Sequence, residues 1–231
     1  TWARFVLLGE GDKRSKQMKT RKPYRIIGFI VLIALLSPGL ASAVEFSQDE
    51  LERLQAGKIV RKMLSNSRQD GFYGGTGFII VDATSDVVWK ALKDFEAYPN
   101  MFPRTTETKE VGRKGERSLV KFGLGYKILS VGYYLNVVHD QENKKITFNM
   151  VSSKPHDIEN TSGYWRLFPQ PDGRTLVAYA VSVQVPKGIV LFLGDSLEDK
   201  LERNLVGLPK YLKAWVESPS GSRYRTMTAK K

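Results

Sequence analysis

Gly74-Gly75-Thr76-Gly77-Phe78-Ile79-Ile80-Val81-Asp82-Ala83-Thr84 runs straight into Ser85-Asp86-Val87-Val88-Trp89-Lys90-Ala91-Leu92-Lys93, and Asp94-Phe95-Glu96-Ala97-Tyr98-Pro99 follows. The first part reads as a strand from Gly74 to Val81, because four β-formers in a row end in a polar turn. Thr84 stands where a helix cap belongs, and Asp86 suits the positive end of the helix dipole. Val87, Val88, Trp89, Ala91, Leu92 and Phe95 then give the helix one apolar face. Three glycines at the head of the strand invite a phosphate-loop reading. Such a loop needs Gly-Lys-Ser/Thr with a helix directly after it, and here a strand follows. The glycines instead mark a place where the sheet bends sharply.

Upstream, Ser47-Gln48-Asp49-Glu50 has the spacing of a capping box and predicts a helix over Gln48 to Gln55, stopped by Gly57. Lys58 to Leu64 alternates loosely and predicts a first strand. Downstream, the period changes to two. Val120, Phe122, Leu124, Tyr126 and Ile128 share one strand face. Similar runs over Val131 to His139, Ile146 to Met150, Gly163 to Phe168 and Thr175 to Val185 are separated by short turns such as Pro171-Asp172-Gly173. Consecutive strands with short turns predict an antiparallel meander. Leu197, Leu201, Leu205, Leu208, Leu212 and Trp215 form one apolar stripe on a final helix, which Pro209 should kink near Leu205. Pro219 to Lys231 is polar and basic and predicts a disordered tail.

The chain of 231 residues carries a net charge of +12 and no cysteine. Disulfides, thiol nucleophiles and cysteine-ligated metals are therefore excluded. Half of the basic excess lies early, since the first 43 residues hold 8 Lys/Arg against 2 Asp/Glu. Met18 is followed by Lys19, Arg21, Lys22 and Arg25, then by the apolar run Ile26 to Leu36, and Ala41-Ser42-Ala43 closes the segment. That is the order of a signal peptide. The run is too short to span a bilayer, which takes about 20 residues. Residues 18–43 are expected to direct export, with cleavage after Ala43 and a periplasmic or secreted product. Residues 1–17 have no role in that product and resemble an over-extended start. The 188 residues from Val44 to Lys231 suit one domain, expected over 44–218, with the tail at 219–231. Their spread of charge lacks the basic stripe of a nucleic-acid surface and fits weak attraction to anionic lipid.

Catalytic and metal chemistry find little support. The two histidines, His139 at a strand end and His156 in a polar loop, are distant and read as solvated. They lack metal-ligand spacing. Ser152 and Ser153 stand near His156 without a nucleophile elbow. No catalytic residue, metal or cofactor is assigned. Trp89, Phe95, Tyr98 and Phe102 either line a cavity or seal the small helices to the sheet. Phe122, Tyr126, Tyr133, Trp165, Arg166 and Tyr179 join them as cavity candidates. Tyr126, Tyr133, Tyr134, Tyr164, Arg166 and Tyr179 would supply acid–base groups if they faced inward, and otherwise pack the sheet. Ala178, Ala180 and Ser182 would leave volume under the helix only if their face points inward. Ile189-Val190-Leu191-Phe192-Leu193 follows Lys187-Gly188. Lys187, Ile189, Leu191 and Phe192 form either a lid that touches a membrane surface or the buried first turn of the last helix.

Val81-Asp82-Ala83-Thr84, Val88-Trp89, Leu92, Asp94-Phe95, Tyr98-Pro99, Phe102-Pro103 and Gly163-Tyr164-Trp165-Arg166-Leu167-Phe168-Pro169, with the amphipathic final helix, resemble the START-like or SRPBCC helix-grip superfamily. Its members include polyketide cyclase/dehydrase-like and coenzyme-Q-binding START-like proteins. Ser85 replaces the proline usual at the start of the first helix. The likeness covers roughly Ser47 to Glu217 and implies an α+β fold: a curved antiparallel sheet wrapped around a long C-terminal helix, with a cavity between them. It implies binding or transport of a hydrophobic, lipid-like ligand without enzymatic chemistry. The alternatives are a cyclase-like enzyme using the same cavity and a partner-binding module whose cavity is filled by its own side chains.

Overall fold

The structure is a computed structural model describing residues 44–63, 71–126, 129–186 and 203–226. The expected signal segment and the lid residues Lys187, Ile189, Leu191 and Phe192 lie outside the described residues. From Phe46 onward the chain forms one compact unit.

Helix α1 spans Gln48–Gln55 and starts at the expected capping box. The Glu50 amide donates to the Ser47 hydroxyl, and the Ser47 amide donates to the Glu50 carboxylate at 2.9 Å. Gly57 adopts φ +67° after the helix, a conformation that glycine reaches without a Cβ clash.

Eight antiparallel strands follow: β1 Val60–Met63, β2 Phe72–Val81, β3 Thr105–Lys114, β4 Arg117–Tyr126, β5 Leu129–Asp140, β6 Lys145–Met150, β7 Asn160–Pro169 and β8 Thr175–Gln184. Their order is β1-β2-β8-β7-β6-β5-β4-β3. The run from β4 to β8 is the predicted meander, and β3, absent from the sequence-based expectations, pairs at its edge with β4. β2 then closes against β8 over ten residue pairs, from Phe72 opposite Gln184 to Val81 opposite Thr175. Two register shifts in β3, at Thr105/Glu107 and Glu110/Gly112, bend that edge strand.

Between β2 and β3 lie helix α2 (Ser85–Lys93), a 3-10 turn (Phe95–Ala97) and helix α3 (Tyr98–Met101). Thr84 occupies the cap position of α2, although its hydroxyl makes no cap bond. The Thr175 hydroxyl instead donates to the Ala83 carbonyl at 2.7 Å and ties the loop to β8. The α2 face carrying Val88, Ala91 and Leu92 is fully buried.

The C-terminal helix α4 covers Leu208–Glu217 and buries Leu212 and Val216 against the sheet. Pro209 lies in its first turn, after a break at Val206 and Gly207, so it starts a helix rather than kinking one. Its missing amide costs nothing there, because first-turn amides lack intrahelical partners anyway. Gly77 brings this break onto the sheet: a Cβ at that position would sit 2.2 Å from the Val206 carbonyl oxygen. At the far end, Lys213 donates to the Ile80 carbonyl at 3.0 Å, and Glu217 accepts from the Asp82 amide at 2.7 Å.

The expected disordered tail is corrected for residues 219–226. Pro219–Gly221 forms a 3-10 turn and Ser222–Thr226 a short helix, α5, with Tyr224 buried. The Tyr224 hydroxyl and the Arg223 guanidinium both donate to Asp94, at 2.8 and 2.6 Å. These charge-assisted bonds, with the buried ring, offset the cost of ordering a polar segment. No helix among the described residues is long and apolar enough to cross a membrane.

Candidate ligand cavity

A cavity of about 260 Å³ lies between the inner face of the sheet and the helices that cover it. A packed core tolerates few voids larger than one water, so this space is a built feature. Alternation along the strands makes the wall. β4 contributes Phe122 and Leu124, β5 contributes Val131, Tyr133, Leu135 and Val137, and β8 contributes Tyr179, Val181 and Val183. Ile146, Phe148, Thr161 and Trp165 come from β6 and β7. Phe95, Tyr98 and Phe102 close one side, and Leu205 and Leu208 another. Exposed Pro103 and Arg104 belong to the rim. Arg104 holds φ +73°, a left-handed conformation uncommon for a residue with a side chain.

The aromatic wall is mutually braced. Phe122 and Tyr133 stack at 5.8 Å and 4°, Trp165 and Tyr179 have centroids 4.1 Å apart, and Tyr98 meets Phe102 edge-on at 4.8 Å. The Tyr98 hydroxyl donates to the Leu92 carbonyl at 2.6 Å, which fastens α3 to α2. Burial pushes the phenols of Tyr98, Tyr133 and Tyr179 above the usual tyrosine range. They stay protonated and so can serve as hydrogen-bond donors rather than bases.

Of the expected cavity residues, the structure brings Phe95, Tyr98, Phe102, Phe122, Tyr133, Trp165 and Tyr179 together around this space. Trp89 is buried beside it without lining it, edge-on to His139 at 6.5 Å. Arg166 is a correction. It alternates with Trp165 and so points to the outer face, its guanidinium 5.1 Å over the Phe168 ring. Tyr134 and Tyr164 lie off the cavity for the same reason, and Lys145 sits over the Tyr164 ring. The Tyr126 side chain lies outside the described residues. Ala178, Ala180 and Ser182 occupy the face opposite Tyr179 and Val181, so they create no volume there. The aliphatic walls Leu124, Val131, Val181 and Val183, and polar Thr161, are missing from the sequence-derived candidates. Their signal is the alternation they share with the aromatic candidates.

His139 is a second correction. It is 4% exposed rather than solvated, because it continues the inward face of β5 beyond Val137. Its Nε2 lies 3.2 Å from the buried Ser118 hydroxyl, while its Nδ1 has no partner among the described residues. Burial, then the nearby positive charges of Lys93 and Arg113, bring its pKa down to about 4. Neither residue of the pair lines the cavity. His156 is exposed, with Nδ1 2.7 Å from the Lys154 carbonyl. Among the described residues no group of three or more His, Asp or Glu side chains is placed to hold a metal ion.

Residues 76–213 match the family described as polyketide cyclase / dehydrase and lipid transport, which is more than half of the chain. The chain belongs to that family. Solved structures show the same fold. TTHA0849 from Thermus thermophilus is 18% identical, with a TM-score of 0.52 over 68% of this chain and 98% of its own. The Zhui aromatase/cyclase from Streptomyces sp. R1128 is 18% identical, with a TM-score of 0.52 over 65% of this chain and 98% of its own. The di-domain aromatase/cyclase StfQ of the steffimycin pathway is 16% identical, with a TM-score of 0.53 over 67% of this chain and 53% of its own. No curated protein matches the chain. As a START-like helix-grip protein of the polyketide cyclase/dehydrase and lipid transport family, the chain has a fold suited to holding a hydrophobic ligand.

Proposed function

We propose that this protein is a non-enzymatic carrier or sequestering protein for a lipid-like ligand, and that residues 18–43 direct its export to the periplasm or beyond. The observation that carries the proposal is the cavity itself, about 260 Å³ walled mainly by aliphatic and aromatic side chains. Burial of apolar ligand surface there is worth about 25 cal/mol per Å² before the costs of association. The open space argues against the partner-binding module whose interior its own side chains fill. The protonated phenols argue against general-base chemistry by tyrosine.

Native mass spectrometry of the full chain, purified without detergent, tests the carrier function. A co-purifying lipid-like adduct, released on denaturation, is the expected result. A preparation that is empty, and that takes up no lipid on incubation with cell-envelope extract, would sink it. Export is tested separately by N-terminal sequencing of the cellular product. The expected first residue is Val44, and a product retaining residues 18–43 in the cytoplasm would refute it.

A cyclase-like enzyme is the second function to consider. Tyr133 and Tyr179 favour it, since two phenol donors inside one cavity can polarise a ketone. Turnover of an added polyketide analogue that is lost in Tyr133→Phe would establish it.

A further inference from the structure

Most of the polar side chains that reach the cavity are already committed or stand at its rim. The Tyr98 hydroxyl donates to Leu92, and the Thr161 hydroxyl donates to the Ser182 carbonyl at 3.1 Å. Among the described residues, Arg104 is the one cationic side chain on the lining, and it is exposed at the rim. Thr105 and Asn204 also line the cavity and are half-buried; beside them two phenol hydroxyls remain. Tyr133 is held by its stack on Phe122, between Val131 and Leu135, and Tyr179 by Trp165 and Phe148, between Val177 and Val181. Neither hydroxyl has a hydrogen-bond partner among the described residues. The Tyr133 phenol lies near enough to Tyr179 to help hold the Tyr179 phenol protonated. An unmade hydrogen bond in an apolar site is costly, so two free donors in one cavity call for an acceptor. A carboxylate or phosphate placed there would be a buried charge without a cation, which costs far more than a neutral oxygen. The ring stacks fix both hydroxyl positions in advance, so little side-chain freedom is lost when the acceptor arrives.

We infer that the ligand carries a neutral carbonyl oxygen, as in a ketone or ester, held inside the cavity by hydrogen bonds donated from Tyr133 and Tyr179, with its hydrocarbon part against the aliphatic walls. The inference rests on the carrier function proposed above and adds the chemical class of the cargo.

Isothermal titration of the full chain with 2-tridecanone and with tridecane, each delivered from cyclodextrin, tests it. The ketone should bind wild type at least tenfold more tightly than the alkane, since two hydrogen bonds separate the probes. In Tyr133→Phe/Tyr179→Phe the ketone should fall to the affinity of the alkane, while alkane binding holds. The single variants should each lose part of the difference. They provide the same readout if the double variant fails to fold. Equal binding of the two probes by wild type, or an undiminished ketone preference in the folded variants, would overturn the inference and leave the carrier function standing. Binding of neither probe would overturn the carrier function and this inference with it.

Discussion

The two ends of the sheet's inner face are built from the same alternation and end in opposite states. Toward α2, Val120 on β4 and Val177 on β8 are buried in a solid core with Val88, Leu92, Leu212 and Val216. Two to six residues away along the same strands, Phe122, Leu124 and Val183 are only partly covered and border open space, as Tyr133 and Val131 of β5 do. Residue type does not separate the ends, since valine and leucine occur in both. What differs is the cover: α2 and the C-terminal half of α4 press onto one end, while Leu205 and Leu208 face the other across the cavity. Rigidity and ligand capacity are thus divided along a single set of strands.

The largest expected effect lies at the solid end. Leu92 is fully buried on α2. Leu92→Ala should destabilise the protein by about 2–5 kcal/mol through lost burial and the cavity left behind. Urea denaturation monitored by tryptophan fluorescence reads this directly. A cost near that of a surface substitution would mean that the solid end repacks freely and that the contrast between the ends is false.

His139 belongs to the solid end as well, and it makes that end sensitive to acid. Its ordinary pKa of 6.5 falls to about 4 in the fold. Between those values the unfolded chain binds a proton that the folded protein excludes, so stability drops as pH falls. Stability is full above pH 6.5 and should decline by up to about 3 kcal/mol by pH 4. Glu110 partly offsets the positive charges of Lys93 and Arg113 around the imidazole. His139→Gln keeps a polar side chain beside Ser118 but removes the titration. Its urea midpoint should vary less between pH 7 and pH 4.5 than that of wild type. Parallel pH dependences in the two proteins would exclude His139 as the source.

Much of this architecture is legible in the sequence because its signals are local. The Ser47–Glu50 capping box, the Gly74–Val81 strand running into α2, and the period-two runs of β4 and β5 each sit within about ten residues. The misread elements depend on distant partners. Tyr224 stands in a polar run, yet its ring is buried and its hydroxyl donates to Asp94, 130 residues away, and accepts from Trp215 Nε1. His139 reads as a strand end facing water, yet Trp89 and Phe95 of the helical segment cover it. Pro209 signals a break correctly, but whether it ends one helix or begins another depends on Gly77 admitting the Val206 turn. Arg166 suggests itself for the cavity because it adjoins Trp165, although alternation sends adjacent residues to opposite faces. The cavity is the least local feature of all. Val120 and Phe122 share a face and a strand, and only the curl of the whole sheet decides that one is packed and the other borders a void.

The smallest effect on stability is expected at the open end, and it sharpens the comparison most. Leu124 lies on the cavity wall and is only partly buried. Its side chain already borders unfilled space, so truncation forfeits fewer dispersion contacts than at Leu92. Leu124→Ala should cost about 1 kcal/mol or less. It should also enlarge the cavity by removing wall rather than core. Uptake of a homologous series of 2-alkanones, followed by native mass spectrometry, reads that change as a shift of the preferred chain length upward. Leu92→Ala should produce no such shift, because the volume it removes lies away from the lining. If the two alanine variants proved equally destabilised and equally silent toward chain length, the open end would be an ordinary part of the core, and the division between a rigid end and a ligand-holding end would fail.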